Sequence, residues 1–267
     1  MRNEFLPSFM RTGVAQPGYP PQDEEYQEWI DLLESVVSAR GNYTFVELGA
    51  GFARWSVRAA QAVRQFSGLP FHLVAVEGEP LHFQWLGQHL RDNGIDPGEH
   101  KLIHAAVRAT PGDVLFYISL EDGKDGGPSE WYGQCVARER DRVVAGGGEY
   151  LGVATQQHRS GYRSIWVPAI TLQEILRDLP QVDLMDLDIQ GEELEVLSSA
   201  IDEVSRCVKR LHIETHGRRI DKGLSRLLPK FGWTCLAKYK CYSKQNTPWG
   251  RVYFTGGVQS WLNPKLA

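Results

Sequence analysis

The length, composition and charge of the chain set the first limits on what it can be. Its 267 residues are enough for one large α/β domain or two small ones. Hydrophobic residues at 42% and charged residues at 23% are ordinary values for a globular enzyme, and a net charge of -4 argues against nucleic acid as a partner.

Apolar runs and cysteines indicate the cellular setting. No apolar run approaches the ~20 residues that span a bilayer, so we expect no membrane partner. The N-terminal stretch lacks the continuous apolar core and cleavage site of a secretory signal, and the four cysteines lack zinc-binding spacing. These features favour a cytoplasmic protein with reduced thiols. A homo-oligomer stays open, because tryptophans such as Trp166 suit a subunit contact, although scattered tryptophans more often belong to a core.

An arm and a helix are predicted at the N-terminal end, over residues 1–40. Four prolines and no clear periodicity within residues 1–24 indicate an extended arm or lid. Residues 25–39 then place apolar side chains at helical spacing, with Gly41 as a stop. We assign residues 41–260 to one further domain.

Strands and helices alternate through that domain. The predicted strands, in chain order, are YTFVELG, FHLVAVEG, HKLIHAAV, VDLMDLDI and VKRLHIETH. The predicted helices are ARWSVRAAQAVRQF, PLHFQWLGQHLRDNG, TLQEILRDL, EELEVLSSAI and KGLSRLLPKFG. This rhythm is typical of an α/β fold with a doubly wound, mostly parallel sheet. Two further strands, WTCLAKYK and WGRVYFTGG, are expected to pair antiparallel as a hairpin at the sheet edge, which gives seven strands.

An irregular stretch interrupts the pattern at about residues 120–165. It is rich in glycine, arginine and aromatic residues, and a loop of this length is usually functional or disordered. We favour an insertion that covers the substrate, since aromatic rings stack on sugars and arginines bind carboxylate or phosphate groups. A solvated loop is the alternative. The candidate contact residues are Tyr132, His158, Arg159, Tyr162 and Arg163.

A glycine turn follows the first predicted strand. Gly49 and Gly51 let the backbone turn tightly and approach a ligand, but Arg54 stands where a dinucleotide fingerprint has its third glycine. Glu47, just before the turn, would repel a diphosphate and attract an ammonium or sulfonium group. Glu77 ends the second strand, where an acid can accept both ribose hydroxyls of an adenosine.

The glycine turn and its two acids resemble motifs I and II of class I S-adenosylmethionine-dependent methyltransferases, which have a Rossmann-like fold. The resemblance implies S-adenosylmethionine as the cofactor, in preference to an NAD-type cofactor. Ala53 stands where the pattern usually has a third small residue, a mild departure. Ala106, in the stretch HAAV, would lie at the edge of the adenine.

Two aspartates end the fourth strand of the series. Asp186 and Asp188 are two residues apart and point to the same face, beside the switch point where open α/β sheets bind ligands. Asp183 has the same phase but begins the strand, so we expect it to be a solvated surface charge. Gly191 permits the turn out of the strand, and Gln190 offers an amide to the same crevice.

The fifth strand ends in LHIETH, which places Glu214 and His216 at the same sheet edge as the aspartates. His216 suits proton transfer from a hydroxyl near neutral pH, and carboxylates with a histidine could instead hold a divalent cation such as Mg²⁺. His212 lies deeper, so we interpret it as a hydrogen-bonded histidine of the core or surface. The glutamates of the next helix, which oppose the positive end of its dipole, are interpreted as structural: Glu192, Glu193 and Glu195.

The strings DLDIQGEELEVL, FVELGAG and HIETH together resemble the FkbM-type methyltransferase family, over roughly residues 43–256. The resemblance implies a class I methyltransferase domain that usually methylates a hydroxyl group of a sugar or natural-product scaffold. It assigns donor binding to Glu47, Gly49, Gly51 and Glu77, with Ala106 and Asp186 beside them. It places Asp188 closest to the transferred methyl group. By likeness to metal-dependent class I O-methyltransferases, Asp188 and Glu214 would be the metal ligands.

The expected reaction is an in-line displacement in which a substrate oxygen attacks the sulfonium methyl group. We expect Asp188 or His216 to take the hydroxyl proton, with a cation polarising the oxygen if one binds. The acceptor would be a small molecule or a saccharide. Two rival hypotheses stay open: an NAD-dependent oxidoreductase with the same βαβ geometry, and a non-catalytic module that binds S-adenosylmethionine.

Overall fold

The structure, a computed structural model, describes residues 20–118, 133–138 and 140–267. Most of the predicted arm (residues 1–24) and the candidate contact residue Tyr132 therefore lie outside the described residues. The expected helix of residues 25–39 is present. The α-helices of the described residues are α1 (Tyr26–Ser38), α2 (Arg54–Phe66), α3 (Pro80–Asp92), α4 (Leu172–Leu176), α5 (Glu193–Cys207) and α6 (Arg218–Leu227).

Short strands outnumber the helices in the described residues. In the first half of the chain they are β1 (Tyr43–Leu48), β2 (Phe71–Glu77), β3 (Lys101–His104), β4 (Ala106–Val107), β5 (Gly112–Tyr117), β6 (Val143–Val144), β7 (Glu149–Tyr150) and β8 (Val153–Ala154). In the second half they are β9 (Gln156–His158), β10 (Arg163–Ile170), β11 (Leu184–Leu187), β12 (Arg210–Thr215), β13 (Thr234–Tyr239), β14 (Ser243–Thr247), β15 (Gly250–Phe254) and β16 (Gly257–Leu262).

The main sheet has seven strands in the order β13-β16-β12-β11-β1-β2-β3. The five strands from β12 to β3 run parallel, and β16 pairs antiparallel with both β12 and β13. Because the chain leaves β1 towards β2 on one side and returns to β11 on the other, the switch point lies between β1 and β11. The predicted α/β fold, with a doubly wound and mostly parallel sheet, is confirmed.

Apolar faces of the helices cover both sides of this sheet. Leu32 of α1, Val57 of α2 and Leu86 of α3 belong to one buried cluster. Val196 of α5 and Leu224 of α6 belong to the other. A sheet buried on both faces explains the nearly continuous apolar character of β1, β2 and β11.

The antiparallel edge is built from other segments than predicted. The strand β13 was expected to pair with β15, but it pairs with β16, which the sequence pattern left unassigned. The strand β15 pairs instead with β14 in a separate two-stranded sheet. Burial explains the difference, because β16 is buried along five of its six residues, whereas β15 alternates between exposed and buried positions as a one-sided hairpin does.

The strands β4, β5, β6, β9 and β10 form a second small sheet that the sequence pattern did not predict. The segment HKLIHAAV splits at Ala105, so that β3 stays in the main sheet while β4 pairs with β10. The strand β10 also pairs antiparallel with β5 and β9. Tyr150, from the separate two-stranded sheet of β7 and β8, is buried and donates a hydrogen bond from its hydroxyl group to Glu79 Oε1 (2.7 Å), just beyond β2. The predicted insertion is therefore anchored beside the carboxyl end of the main sheet.

The prediction for Asp183 was wrong. Only 3% of this residue is exposed, and its carboxylate accepts a hydrogen bond from the backbone N–H of Thr44 (2.9 Å) and pairs with Lys209 (2.9 Å). At the amino end of the parallel strands, the neighbouring strand offers backbone N–H donors. Their hydrogen bonds offset the cost of burying the carboxylate. Among the described residues, no helix is both long and apolar enough to cross a membrane.

Candidate active site

The glycine turn after β1 brings two parts of the sheet edge into close contact. Gly49 has a φ of +80°, and a Cβ atom there would lie 1.9 Å from the carbonyl oxygen of Asp188. Only glycine fits this position, because the turn packs directly on the end of β11. Gly51 also has a positive φ, of +53°, and space is open where its Cβ atom would be.

Glu47 is held by the start of α2. The N-cap residue Ala53 offers no capping side chain, and the Glu47 carboxylate accepts hydrogen bonds from the backbone N–H groups of Trp55 (3.2 Å) and Ser56 (2.8 Å) instead. Burial raises the pKa of Glu47 to about 8, although its hydrogen bonds to Ser56 act in the opposite direction. Glu47 therefore serves the helix end as well as lining the cleft.

Glu77 lies across the turn from Gly51. Its Oε2 accepts a hydrogen bond from the Gly51 N–H group (2.7 Å), and its Oε1 accepts one from the Glu79 N–H group (2.7 Å). Burial raises its pKa to about 7. A carboxylate oxygen can accept more than one hydrogen bond, so Glu77 keeps acceptor capacity for further donors.

Three side chains at the buried end of the cleft form a group that we call the floor trio: Glu28, Asp186 and His212. One polar atom from each lies within 4.8 Å of the others. Asp186 is opposite Glu47 in the β1–β11 register, and burial raises its pKa to about 6. Burial, followed by the charge of Asp186, raises the pKa of Glu28 well above its usual value. Two acids this close in a buried place favour sharing a proton.

The N-terminal helix α1 anchors the floor trio. Asp31 is fully buried and accepts hydrogen bonds from His212 Nδ1 (2.8 Å), Arg210 Nη1 (2.9 Å) and the Ser260 hydroxyl group. Burial lowers the pKa of His212, but the bond to Asp31 outweighs it and the net shift is upward. The expectation that His212 is a hydrogen-bonded histidine is confirmed.

Three other side chains form the rim trio at the open edge of the cleft: Asp188, Glu214 and His216. The His216 Nε2 atom lies 3.4 Å from Asp188 Oδ1 and 3.7 Å from Glu214 Oε1. The side chains of both acids are 39% exposed. The structure thus brings together the three residues that the sequence predicted to be catalytic or metal-binding. Their catalytic and metal-binding roles stay predictions.

Glu193 orients His216 and was missed by the sequence analysis, which interpreted it as structural. Its Oε1 lies 2.7 Å from His216 Nδ1 and accepts a hydrogen bond from the Gly191 N–H group (3.0 Å), and the residue is fully buried. Burial lowers the pKa of His216, but Glu193 and Asp188 outweigh it and raise the pKa to about 9. Burial and the charge of Asp188 raise the pKa of Glu214 to about 8.

The floor trio and two members of the rim trio, Asp188 and Glu214, line one cleft of about 1010 Å³, a volume that includes its opening to solvent. Gly133, Gln134 and Val136, which lie within the range of the predicted insertion, also line it; a covering role for the whole insertion stays a prediction. His216 does not line the cleft itself, but its Nε2 atom lies within 4 Å of both acids. The residues predicted to bind the donor all line this cleft: Glu47, Gly49, Gly51, Glu77, Ala106 and Asp186.

The family follows from this geometry together with comparison to known proteins. A family model described as the methyltransferase FkbM domain matches residues 59–232. The chain belongs to the FkbM methyltransferase family. It is 28% identical over 235 residues to a protein of Jannaschia sp. (strain CCS1) named "Putative methyltransferase", with 86% of this chain and 78% of that protein covered.

A search of solved structures finds matches to this FkbM chain at low identity. A methyltransferase FkbM from Methylobacillus flagellatus KT is 13% identical, with a TM-score of 0.48 over 84% of this chain and 45% of that one. A precorrin-6y C5,15-methyltransferase from Geobacter metallireducens GS-15 is 12% identical, with a TM-score of 0.47 over 93% of both chains. The chain therefore spans less than half the length of that solved FkbM protein.

The residues that the sequence predicted to contact the substrate of this FkbM chain have different degrees of burial. His158 is buried within the insertion, where it contacts Ser164 Oγ (2.7 Å) and the backbone carbonyl of Asp141 (2.8 Å). Tyr162 is exposed and lines a neighbouring groove with Arg138. Arg159 is exposed. A substrate role for any of these residues stays a prediction.

Proposed function

We propose that the protein is an S-adenosylmethionine-dependent O-methyltransferase that acts on a hydroxyl group of a small-molecule or saccharide acceptor. One observation carries the proposal: the acid at the end of β2 and two acids of the rim trio, Asp188 and Glu214, line a single cleft at the switch point of an FkbM fold. The family supports methyl transfer, and the donor and the acceptor are our inference.

The residues of the cleft fit the donor from end to end. Glu77 would accept the ribose hydroxyl groups, and the turn at Gly51 leaves room for them. Burial raises the pKa values of Glu47 and of the acids of the floor trio, and the ammonium and sulfonium charges at the other end of the donor would favour their ionised forms. When bound, the donor supplies a methyl group that is already activated on a positively charged sulfur.

The rim trio would then position the acceptor and take its proton. With a pKa of about 9, His216 already carries a proton at neutral pH. With a pKa of about 8, Glu214 is also largely protonated. Asp188, which is open to the cleft and accepts a hydrogen bond from Gln190 (2.8 Å), is therefore the group we assign to proton acceptance.

A divalent cation such as Mg²⁺ is compatible with the same residues. Asp188 and Glu214 offer the oxygen ligands that hard cations prefer, and His216 Nε2 points at both. A bound cation would supply polarisation of the acceptor oxygen. Because His216 is protonated at neutral pH, binding through Nε2 would require loss of that proton.

The test is transfer of an isotopically labelled methyl group from S-adenosylmethionine to a pool of small hydroxylated metabolites and saccharides. We expect a labelled product with the wild type and none with Asp188→Asn, while both bind the donor. Donor binding without any product from the wild type would favour the non-catalytic module. An increase in melting temperature with NADH, and none with the donor, would favour the oxidoreductase.

A further inference from the structure

A groove beside the cleft, which we call the side groove, has a lining that includes Tyr117, Arg138, Arg140, Asp141, Ser160 and Tyr162. Its volume is about 1240 Å³, which includes open solvent. Gly133 and Gln134 line both the side groove and the cleft. A ligand that lies in the side groove can therefore reach the cleft past these two residues.

Hydrogen bonds to β5 hold the wall that separates the side groove from the cleft. The backbone N–H group of Tyr117 donates to the carbonyl oxygen of Cys135 (2.8 Å), and that of Ala137 donates to the carbonyl oxygen of Leu115 (2.7 Å). Because side chains alternate along an extended segment, Val136 lines the cleft while Cys135 lines the side groove. Strand-like pairing therefore sets the position of the two spaces relative to each other.

The side groove and the cleft differ in the charge of their walls. Among the described residues, seven acids and one arginine line the cleft, whereas two arginines, Arg138 and Arg140, and one acid, Asp141, line the side groove. The whole chain has a net charge of -4, so the positive balance of the side groove is a local feature. An anionic group is therefore attracted to the side groove and repelled by ionised acids of the cleft.

The acid of the side groove pairs with neither arginine. The Asp141 carboxylate accepts hydrogen bonds from the Tyr117 hydroxyl group (2.5 Å), from the Ser160 N–H group (3.1 Å) and from the Ser160 hydroxyl group. Hydrogen bonds from Ser160 and Tyr117 hold the pKa of Asp141 below its usual value. Arg138 and Arg140 are both exposed, so their guanidinium groups can form paired hydrogen bonds with a carboxylate or phosphate group.

Two tyrosines give the side groove an aromatic surface beside its arginines. The ring centroids of Tyr117 and Tyr162 are 5.3 Å apart, and their planes are inclined at 43°. Tyr162 is 49% exposed, so one face of its ring is open to a ligand. A tyrosine offers an apolar ring with a polar hydroxyl group at its end. A sugar ring, which has C–H groups on its faces and hydroxyl groups around its edge, matches such a surface.

We propose that the side groove binds the acceptor and selects a saccharide that carries a carboxylate or phosphate group. The anionic group pairs with Arg138 and Arg140, and the sugar ring packs on Tyr162. A hydroxyl group of the same sugar then extends past Gln134 to Asp188 in the cleft. This inference rests on the proposed function and deepens it, because it names the class of the acceptor. The acids of the cleft also fix the orientation, since they repel the anionic end and admit the neutral hydroxyl end.

The experiment separates the pool of small hydroxylated metabolites and saccharides by anion exchange into a neutral and an anionic fraction. Each fraction is incubated with the full chain and methyl-labelled S-adenosylmethionine, and mass spectrometry identifies any labelled product. We expect the label in a saccharide of the anionic fraction. Alkaline phosphatase distinguishes the two sources of charge, because it removes a phosphate group from the product and leaves a carboxylate in place.

Variants then test whether the two arginines hold the acceptor. The double variant Arg138→Gln, Arg140→Gln should raise the KM for the labelled acceptor about 10-fold or more and leave kcat within about 3-fold, because the anionic group is bound equally in the ground state and the transition state. The matched control is Arg142→Gln, since Arg142 is an exposed arginine of the same segment that lines neither the side groove nor the cleft. Its KM should equal that of the wild type.

The possible results separate this inference from the proposed function. A labelled product from the neutral fraction, or an anionic product without a sugar ring, would overturn the selection of an anionic saccharide and leave methyl transfer standing. A double variant with the wild-type KM would overturn the role of the side groove. A wild type that labels nothing in either fraction would overturn the proposed function itself, and with it this inference.

Discussion

The floor trio and the rim trio contain the same residue types, yet their surroundings differ. Each takes an aspartate from β11 or its end and a histidine from β12 or its end, but the third member of the floor trio, Glu28, belongs to α1. Asp186 and His212 are almost fully buried and are closed off by α1, whereas the acids of the rim trio are 39% exposed. Each histidine has its Nδ1 atom on a buried carboxylate, Asp31 for one and Glu193 for the other. Strand periodicity places Asp186 with Asp188 and His212 with Glu214 on one face, whereas Glu28 comes from α1, which covers the floor trio.

The difference suggests a division of labour between the two trios. A buried group of acids near the β1 turn, whose pKa values burial raises, would ionise in response to the positively charged end of a donor. An open group beside it can meet an acceptor and exchange protons. The following predictions are designed to separate these roles.

The largest expected effect concerns the anchor of the floor trio. Asp31→Ala leaves Arg210 and His212 without their buried partner, so we expect the free energy of unfolding to fall by about 3–5 kcal/mol. Glu193→Ala, the matched change behind the rim trio, should cost about 1–3 kcal/mol. Urea unfolding followed by circular dichroism measures both. Equal losses would remove the distinction between the two anchors.

The next effect separates chemistry from donor binding. Asp188→Asn should reduce turnover about 100-fold or more, because proton acceptance is lost, while donor affinity stays within about 3-fold. Asp186→Asn should instead weaken donor binding by about 10-fold, because a negative charge of the floor is lost. Turnover assays and calorimetry measure the two quantities separately. The opposite pattern would exchange the roles of the two aspartates.

The third effect is the pH dependence of stability. The pKa of Glu47 is about 8 in the folded protein against an ordinary value of 4.5, so between these values the unfolded chain releases a proton that the folded chain keeps. Stability conferred by this group is therefore present at low pH and decreases as the pH rises from about 5 to 8. Glu47→Gln should flatten that decrease. If the unfolding free energy of Glu47→Gln depends on pH with the same slope as that of the wild type, the raised pKa of Glu47 would be contradicted.

The variant Glu214→Gln tests the pH dependence of stability at the rim trio, for comparison with Glu47→Gln. The pKa of Glu214 is also raised to about 8 by burial, but 39% of its side chain is exposed, and solvent screening reduces the stability consequence. We therefore expect Glu214→Gln to change the slope of unfolding free energy against pH less than Glu47→Gln does. A larger change at the rim would show that exposure does not separate the trios.

The smallest effect concerns a cation at the rim. If the rim trio binds Mg²⁺, millimolar MgCl2 should raise the melting temperature by about 3 °C. Asp188→Asn should abolish the increase, and Glu28→Gln in the floor trio should leave it unchanged. A thermal shift assay measures all three proteins. An unchanged melting temperature for the wild type would leave proton acceptance as the sole role of the rim.

Much of the cleft could be predicted from sequence because parallel strands place their carboxyl ends at one edge. Apolar runs identified β1, β2, β11 and β12, and the acids at their ends then had to converge. That reasoning placed Glu47, Glu77, Asp188 and Glu214 on one cleft without any knowledge of long-range contacts.

The missed features depend on contacts between distant segments. Asp31 bonds Arg210 across 179 residues of sequence, and within an amphipathic helix it is indistinguishable from a surface acid. Glu193 has the composition of an ordinary helix start, and only its burial against His216 shows its role. The pairing of β16 was equally invisible, because local pattern does not specify which strands meet.

The most direct test of the central claim is a calorimetric titration of the wild-type chain with S-adenosylhomocysteine. If the glycine turn, Glu77 and the floor trio form one donor site, a single site with micromolar affinity should appear, and Glu77→Ala should weaken it by about 10-fold or more. Absence of heat together with an unchanged melting temperature, or full affinity in Glu77→Ala, would contradict the account.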